Sequence, residues 1–258
     1  MFYDRILPAA VMIAILVVVF GFTGQFGVQL MTLFVAGVCV HELHSMALPQ
    51  RPWLQIPMQI LVLGAIGFSM VLGFGIVVPL VIAMILFSTL VRGEEKSDRY
   101  LDFGMVYITL LLFVPMVYSM EFGLGWMLLG LAVIASGDIG AYFVGRAIGK
   151  RKLAEKISPK KTVEGAIGGM VAATGVANII GYHFFPHMTW WQMTIFAILV
   201  DIAGILGDLF ESALKRHYEV KDSGNILRGH GGFLDRTDST LTAMPVVFML
   251  AKLFEYLQ

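Results

Sequence analysis

Residues 211–239, ESALKRHYEVKDSGNILRGHGGFLDRTDS, hold a dense set of groups suited to phosphate chemistry. The acids are Glu211, Glu219, Asp222, Asp235 and Asp238; the bases are Lys215, Arg216, Lys221, Arg228 and Arg236; four glycines lie among them. Asp222, Asp235 and Asp238 offer hard oxygen ligands suited to Mg²⁺, which takes one or two carboxylates and completes its shell with substrate phosphates. Lys215, Arg216, Lys221 and Arg236 can neutralise phosphate oxygens, the arginines in bidentate fashion. Gly231 and Gly232, in GHGG, let backbone N–H groups come close to an anion. A charge run is ordinarily just a solvated face, and each feature alone is weak. Their conjunction beside an acidic helix points to a site.

That helix is VDIAGILGDLFESALKR. Asp201, Gly204, Asp208, Ser212 and Lys215 advance by 3, 4, 4 and 3 residues and so share one helical face. Asp138, in SGDIGAYFVGRAIGK, is a third acid within an apolar run. An ionisable group at membrane depth costs at least about 2.5 kcal/mol and usually faces a polar cavity. A buried ion pair, for example Asp208 with a neighbouring base, is the simpler reading of the same residues. A second rich loop, GRAIGKRKLAEKISPKKTVEGAIGGM, has Thr162 as an N-cap with Glu164 in the following turn. Lys160 and Lys161 flank that helix start, where an anion is favoured. Gly165, Gly168 and Gly169 would let a neighbouring helix approach closely.

The elements that must position these groups are membrane helices. Of 258 residues, 58% are hydrophobic and only 14% charged, too few charges to cover a soluble domain of this length. The expected fold class is all-α, a polytopic membrane bundle. Nine spans are expected, near 6–22, 26–42, 56–72, 74–91, 102–118, 123–145, 163–185, 189–212 and 238–256, or eight if the third and fourth are one. The first, ILPAAVMIAILVVVFGF, reads as a retained span, since it is long for a signal peptide and lacks a clear cleavage site. All 18 Lys and Arg except Lys252 fall at the N-terminus or in alternate connections, which places that side in the cytosol. The chain divides into N-terminal transmembrane helices, 1–120, and a C-terminal catalytic region, 121–258, with cytosolic loops 146–162 and 213–237. Zero net charge argues against a nucleic-acid partner. The single cysteine, Cys39, can form no internal disulfide and reads as a small packing residue.

The segment SALKRHYEVKDSGNILRGHGGFLDRTDS resembles the signature of the phosphatidate cytidylyltransferase (CDP-diacylglycerol synthase) family. Ser212, Lys215, Arg216, Lys221, Asp222, Gly224, His230, Gly231, Gly232, Asp235, Arg236 and Asp238 match it in register. GDLFES, GDIGAYFVGRAIGK and ISPKKTVEGAIGG resemble further blocks, so the likeness covers about 130–240. Arg228 stands where the family commonly has proline, Ile139 where it has Ser or Thr, and Val163 where it has an aromatic residue. The resemblance implies transfer of a cytidylyl group from CTP to phosphatidate, giving CDP-diacylglycerol and pyrophosphate at the cytosolic face of an inner membrane. It implies catalytic roles for Asp208, Lys215, Arg216, Lys221, Asp222, His230, Asp235, Arg236 and Asp238. Asp208 and Asp235 would carry Mg²⁺, with Asp238 and Asp138 supporting it or a second cation. Lys160, Lys161, Ser212, Ser223, Gly231 and Gly232 would bind the nucleotide. Membrane lipids are further partners, and a homodimer is compatible with the sequence.

Two rivals stand beside this reading. An isoprenoid-lipid enzyme (CDP-archaeol synthase or polyprenol kinase) would use similar CTP chemistry. A secondary transporter would use Asp138, Asp201 and Asp208 as a relay, but it leaves the basic, glycine-rich loop unexplained. His41, Glu42 and His44 lack the spacing of a zinc helix, and Glu42 reads as structural or lipid-facing. His183 and His187 have i, i+4 spacing, but Pro186 interrupts them; with Trp190 and Trp191 they read as interfacial.

Overall fold

The computed structural model describes residues 26–27, 29–72, 100–109, 124–226 and 231–256. The expected spans at 6–22 and 74–91, most of 102–118, and His230 lie outside these residues. The described elements are α1 (Gln29–Ala47), a short 3₁₀ turn (Pro52–Leu54), α2 (Gln55–Leu72), α3 (100–109), α4 (Leu124–Ile148), β1 (Lys152–Ala154), β2 (Ser158–Thr162), α5 (Val163–Phe184), α6 (Trp190–His217) and α7 (Leu234–Tyr256). They fall into two compact units, Met1–Met120 with Asp222–Phe233, and Glu121–Lys221 with Leu234–Gln258.

In the first unit α1 buries Ala36, Cys39, Val40 and Leu43, the i, i+3, i+4, i+7 stripe of a helix with one inner face. Leu43 packs against Gly104 of α3, where a side chain would come within 2.8 Å of it. Cys39 is fully buried in that stripe, a packing residue as its sequence context suggested.

In the second unit α5 buries Gly165, Gly169, Ala173, Ala177 and Gly181, a run of small residues four apart. Such a stripe lets two helices meet backbone to backbone where lipid offers no hydrophobic drive between them. A Cβ on Gly169 would sit 2.7 Å from the Gly137 carbonyl of α4, and one on Gly140 would sit 2.9 Å from the Gly168 carbonyl. Ile167, Val171 and Ile179 point outward from the opposite side of α5. At one end of the unit, Trp126 packs between Phe185 and Phe196 in tilted geometry, with ring centroids 4.6 and 5.5 Å away. The charged connections gather at the other end. There Thr162 caps α5, its hydroxyl accepting from the Gly165 N–H at 3.1 Å.

Four described helices, α1, α4, α5 and α6, are long and apolar enough to cross a membrane. α7 has the length but not the apolarity, since Asp235, Arg236, Asp238, Lys252 and Glu255 lie along it. The chain is a helical membrane protein with four such helices among the described residues.

Two sequence expectations are corrected. The fold is not purely helical, because β1 and β2 pair antiparallel (Lys152 opposite Thr162, Ala154 opposite Ser158) within the loop expected at 146–162. The expected loop 213–237 is shorter: α6 continues through His217 and α7 already begins at Leu234. Lys215, Arg216, Asp235 and Arg236 are therefore helical. Lys215, Arg216 and His217 in the last turn of α6, and Asp235 in the first turn of α7, suit the dipoles of those helix ends.

Candidate active site

Packing fixes which charges meet. α5 lies against α4, and β2 leads directly into α5, so Lys161 is delivered to the face of α6 that carries Asp208. Lys161 Nζ stands 2.5 Å from Asp208 Oδ2, both groups about a quarter exposed. One turn further on, the Ser212 hydroxyl donates to Asp208 Oδ1 at 3.2 Å. Asp138 of α4, Asp201 of α6 and Asp238 of α7 all lie within electrostatic reach of Lys161.

A second knot ties α6 to α7. Lys215 Nζ donates to Asp235 Oδ1 at 2.5 Å and pairs with Glu211 Oε2 one turn back on its own helix. Glu211 is completely buried. The 3,4-spaced face read from the sequence passed over Glu211 on its way to Lys215, and the burial of Glu211 is the feature that reading missed. Only the i, i+4 spacing to Lys215 could have signalled it. Asp238, also buried, accepts from the Ser239 N–H at 2.7 Å.

Between α4, α5, α6 and the hairpin lies a cavity of about 360 Å³. Asp138, Asp201, Tyr142, Arg146, Lys160 and Lys161 are among the residues lining it. Arg146 donates to the Tyr142 hydroxyl at 2.9 Å. Asp201 is 5% exposed, its Oδ1 lies against Gly137, and its Oδ2 has no hydrogen-bond partner. An orphaned buried carboxylate oxygen is costly unless a cation or donor meets it.

Asp138, Asp201, Asp208 and Asp238 carry the hard oxygen donors that Mg²⁺ takes, and Arg146, Lys160 and Lys161 supply positive charge beside them. Among the described residues no three His, Cys, Asp or Glu side chains stand close enough to ligate one ion. Two carboxylates with phosphate oxygens are enough for Mg²⁺. Asp208 and Asp235, expected to share an ion, are each held by a different lysine, Lys161 and Lys215.

The remaining expected residues are placed as follows. Lys160, Lys221 and Arg236 are exposed in the second unit. Arg216 reaches the Ile157 and Val220 carbonyls at 3.4 and 3.2 Å and so ties the hairpin turn to the end of α6. Asp222, Ser223, Gly231 and Gly232 belong to the first unit, where Gly231 has φ 81°, the left-handed region that favours glycine.

The chain matches the cytidylyltransferase family over residues 3–254. It is 42% identical over 178 residues to the phosphatidate cytidylyltransferase of Bacillus subtilis (strain 168), covering 67% of this chain and 66% of that relative. It is 44% identical over 128 residues to the protein of that name from Staphylococcus haemolyticus (strain JCSC1435), covering 50% and 49%. The relative so named from Staphylococcus saprophyticus subsp. saprophyticus is 39% identical over 154 residues, covering 60% and 56%. The chain thus spans about half to two thirds of the length of these relatives. A match over nearly its whole length accounts for the signature segment and for both charged helix ends together: the chain belongs to the cytidylyltransferase family.

Proposed function

We propose that this protein is a phosphatidate cytidylyltransferase, working at the cytosolic face of a bacterial cytoplasmic membrane. The observation that carries the reading is the gathering of Lys161, Asp208, Lys215 and Asp235 at one end of a helical unit, in a chain of this family. In the reaction a phosphatidate oxygen attacks the α-phosphorus of CTP, the bond from that phosphorus to the β-phosphate oxygen breaks, and pyrophosphate leaves. The attacking phosphate is already ionised, so a general base has little to do. The barrier lies in bringing two anions together and in stabilising the leaving group.

Lys161 and Lys215 answer that demand, because carboxylates already hold their ammonium groups in place. Preorganised charge of this kind stabilises a transition state without reorganisation at the moment of reaction. Lys160, Arg216 and Arg236 add positive charge near the same helix ends. Lys221, Asp222, Ser223, His230, Gly231 and Gly232 are placed in the same chemistry on the strength of the signature. Asp208 and Asp235, with Asp238 and Asp138, would hold Mg²⁺ or a second cation. When bound, such an ion would neutralise phosphate charge and polarise the α-phosphorus. The names of the relatives favour phosphatidate over an isoprenoid lipid, and enzyme over transporter.

The test is product formation by the purified full chain in lipid nanodiscs. CTP and phosphatidate should yield CDP-diacylglycerol and pyrophosphate, with little product from an isoprenoid phosphate and none after chelation of Mg²⁺. Asp208→Asn and Asp235→Asn should each lower turnover on the order of 10²-fold or more, the scale at which loss of one electrostatic stabiliser registers. Near-normal turnover in either variant would remove that residue from the site. No pyrophosphate from wild-type protein would remove the function.

A further inference from the structure

Glu42 lies five residues before the C-terminal end of α1, between His41 and His44, and is 1% exposed. A buried carboxylate survives in such a place only where its oxygens are fully engaged. Its partners come from far along the chain. The Ser223 hydroxyl donates to Oε2 at 2.9 Å, and the Phe233 backbone N–H donates to Oε1 at 2.8 Å. These two residues stand at opposite ends of the glycine-bearing loop, so the two oxygens of one side chain hold both ends of it.

The glycines of the loop take their place from the same carboxylate. A Cβ on Gly224 would fall 2.6 Å from Glu42 Oε1, and one on Gly232 would fall 2.6 Å from Oε2. The latter would also strike Ser223 Oγ and the Gly224 backbone N, so the two ends of the loop touch each other as well as Glu42. Phe233 further packs edge-on against Phe34, two turns back on α1, with centroids 6.3 Å apart. Everything in this arrangement lies within the first unit.

We propose that Glu42 is a positioning residue for the proposed transfer reaction: it clasps Ser223 to Phe233 and so holds Gly231 and Gly232, with their backbone N–H groups, in one conformation. The inference rests on the function proposed above only for what these groups do once held; the clasp itself is independent of it. Glu42 touches no substrate in this reading. A clasp makes an unusual demand on substitution. Glutamine keeps one oxygen for the Phe233 N–H, and its amide N–H can donate to the Ser223 hydroxyl, which accepts as readily as it donates. Alanine supplies neither contact, and aspartate is too short to reach both ends.

The experiment compares wild type with Glu42→Gln, Glu42→Asp, Glu42→Ala and Ser223→Ala, as full chains in nanodiscs. Amide hydrogen exchange at Phe233, whose N–H the carboxylate holds, reports how often the clasp opens. Turnover of CTP is read in parallel. Glu42→Ala and Glu42→Asp should raise exchange at Phe233 by about tenfold or more, the scale set by losing one hydrogen bond to a carboxylate. Exchange elsewhere in the chain should hold steady, and kcat/KM for CTP should fall in parallel with opening of the clasp. Ser223→Ala should lie between them and wild type, and Glu42→Gln should stay close to wild type in both readouts. Should alanine destroy the fold, the aspartate and Ser223 variants carry the same comparison. Glu42→Gln as damaging as alanine would overturn the clasp in favour of a role for the charge itself. Wild-type exchange in Glu42→Ala would overturn it outright. If wild-type protein turned over no CTP while the exchange series held, the clasp would stand and the proposed function would fall.

Discussion

At the scale of single residues, the charges of the second unit are arranged as interlocked pairs. Lys215 is the clearest case, because it serves Asp235 on another helix and Glu211 on its own, with Glu211 sealed from solvent. Removing one member of a buried pair leaves the other charge uncompensated, which costs about 3–5 kcal/mol, whereas removing both can be neutral. Lys215→Met should therefore lower thermal stability in detergent sharply, and Lys215→Met with Glu211→Gln should recover much of the loss while remaining inactive. Equal melting temperatures for single and double variants would show that Glu211 does not depend on Lys215. The Lys161–Asp208 pair is of another kind, since both partners remain about a quarter exposed. It is open to exchange with an incoming phosphate or cation. The sequence allowed either an ion pair or a substrate role for Asp208, and the ion pair with Lys161 is what the structure contains.

At the scale of elements, the second unit depends on how closely α4 and α5 approach. Gly169 faces the Gly137 carbonyl, whereas Gly175, elsewhere on the same helix, has nothing within 4 Å of where a Cβ would stand. Gly169→Ala should separate the helices and destabilise by about 1–3 kcal/mol, as overpacking does. Gly175→Ala should be neutral or stabilising by up to about 1 kcal/mol, from helix propensity alone. Thermal unfolding of the two variants side by side checks this, and similar shifts in both would argue against close α4–α5 contact. These helices were legible in the sequence: spans expected at 123–145 and 163–185 are observed at Leu124–Ile148 and Val163–Phe184. The apolar run, the Thr162 cap and the glycine spacing all gave the same answer. What escaped was tertiary. Nothing local in SPKKT marks a strand, since β2 is specified by its partner across the turn. Glu42 read only as structural or lipid-facing, with no partner to name, because its partners stand 181 and 191 residues away. Polar residues hid the end of α6 and the start of α7, because hydropathy reports where lipid ends and a helix can run on into water.

At the scale of the whole molecule, the question is which side of the membrane each charged end faces. In the second unit, α4 and α6 run toward the charged end while α5 and α7 start from it. In the first unit, the end of α1 that carries Glu42 meets the segment following Lys221. The sequence expectation, from the one-sided distribution of Lys and Arg, is that the charged end of the second unit faces the cytosol. α5, with 22 residues, is long enough at about 1.5 Å per residue to cross the hydrocarbon core. The hairpin before it and the turn after it should then face opposite compartments. Lys156, in the hairpin turn, and His187, between α5 and α6, are both exposed, while the single native thiol, Cys39, is buried and gives little background. A membrane-impermeant thiol reagent should label Lys156→Cys in inside-out vesicles and leave it unlabelled in right-side-out ones, with the reverse pattern for His187→Cys. Labelling of both from one side would mean that α5 does not span, and would take the charged end of the unit away from the compartment where CTP is found.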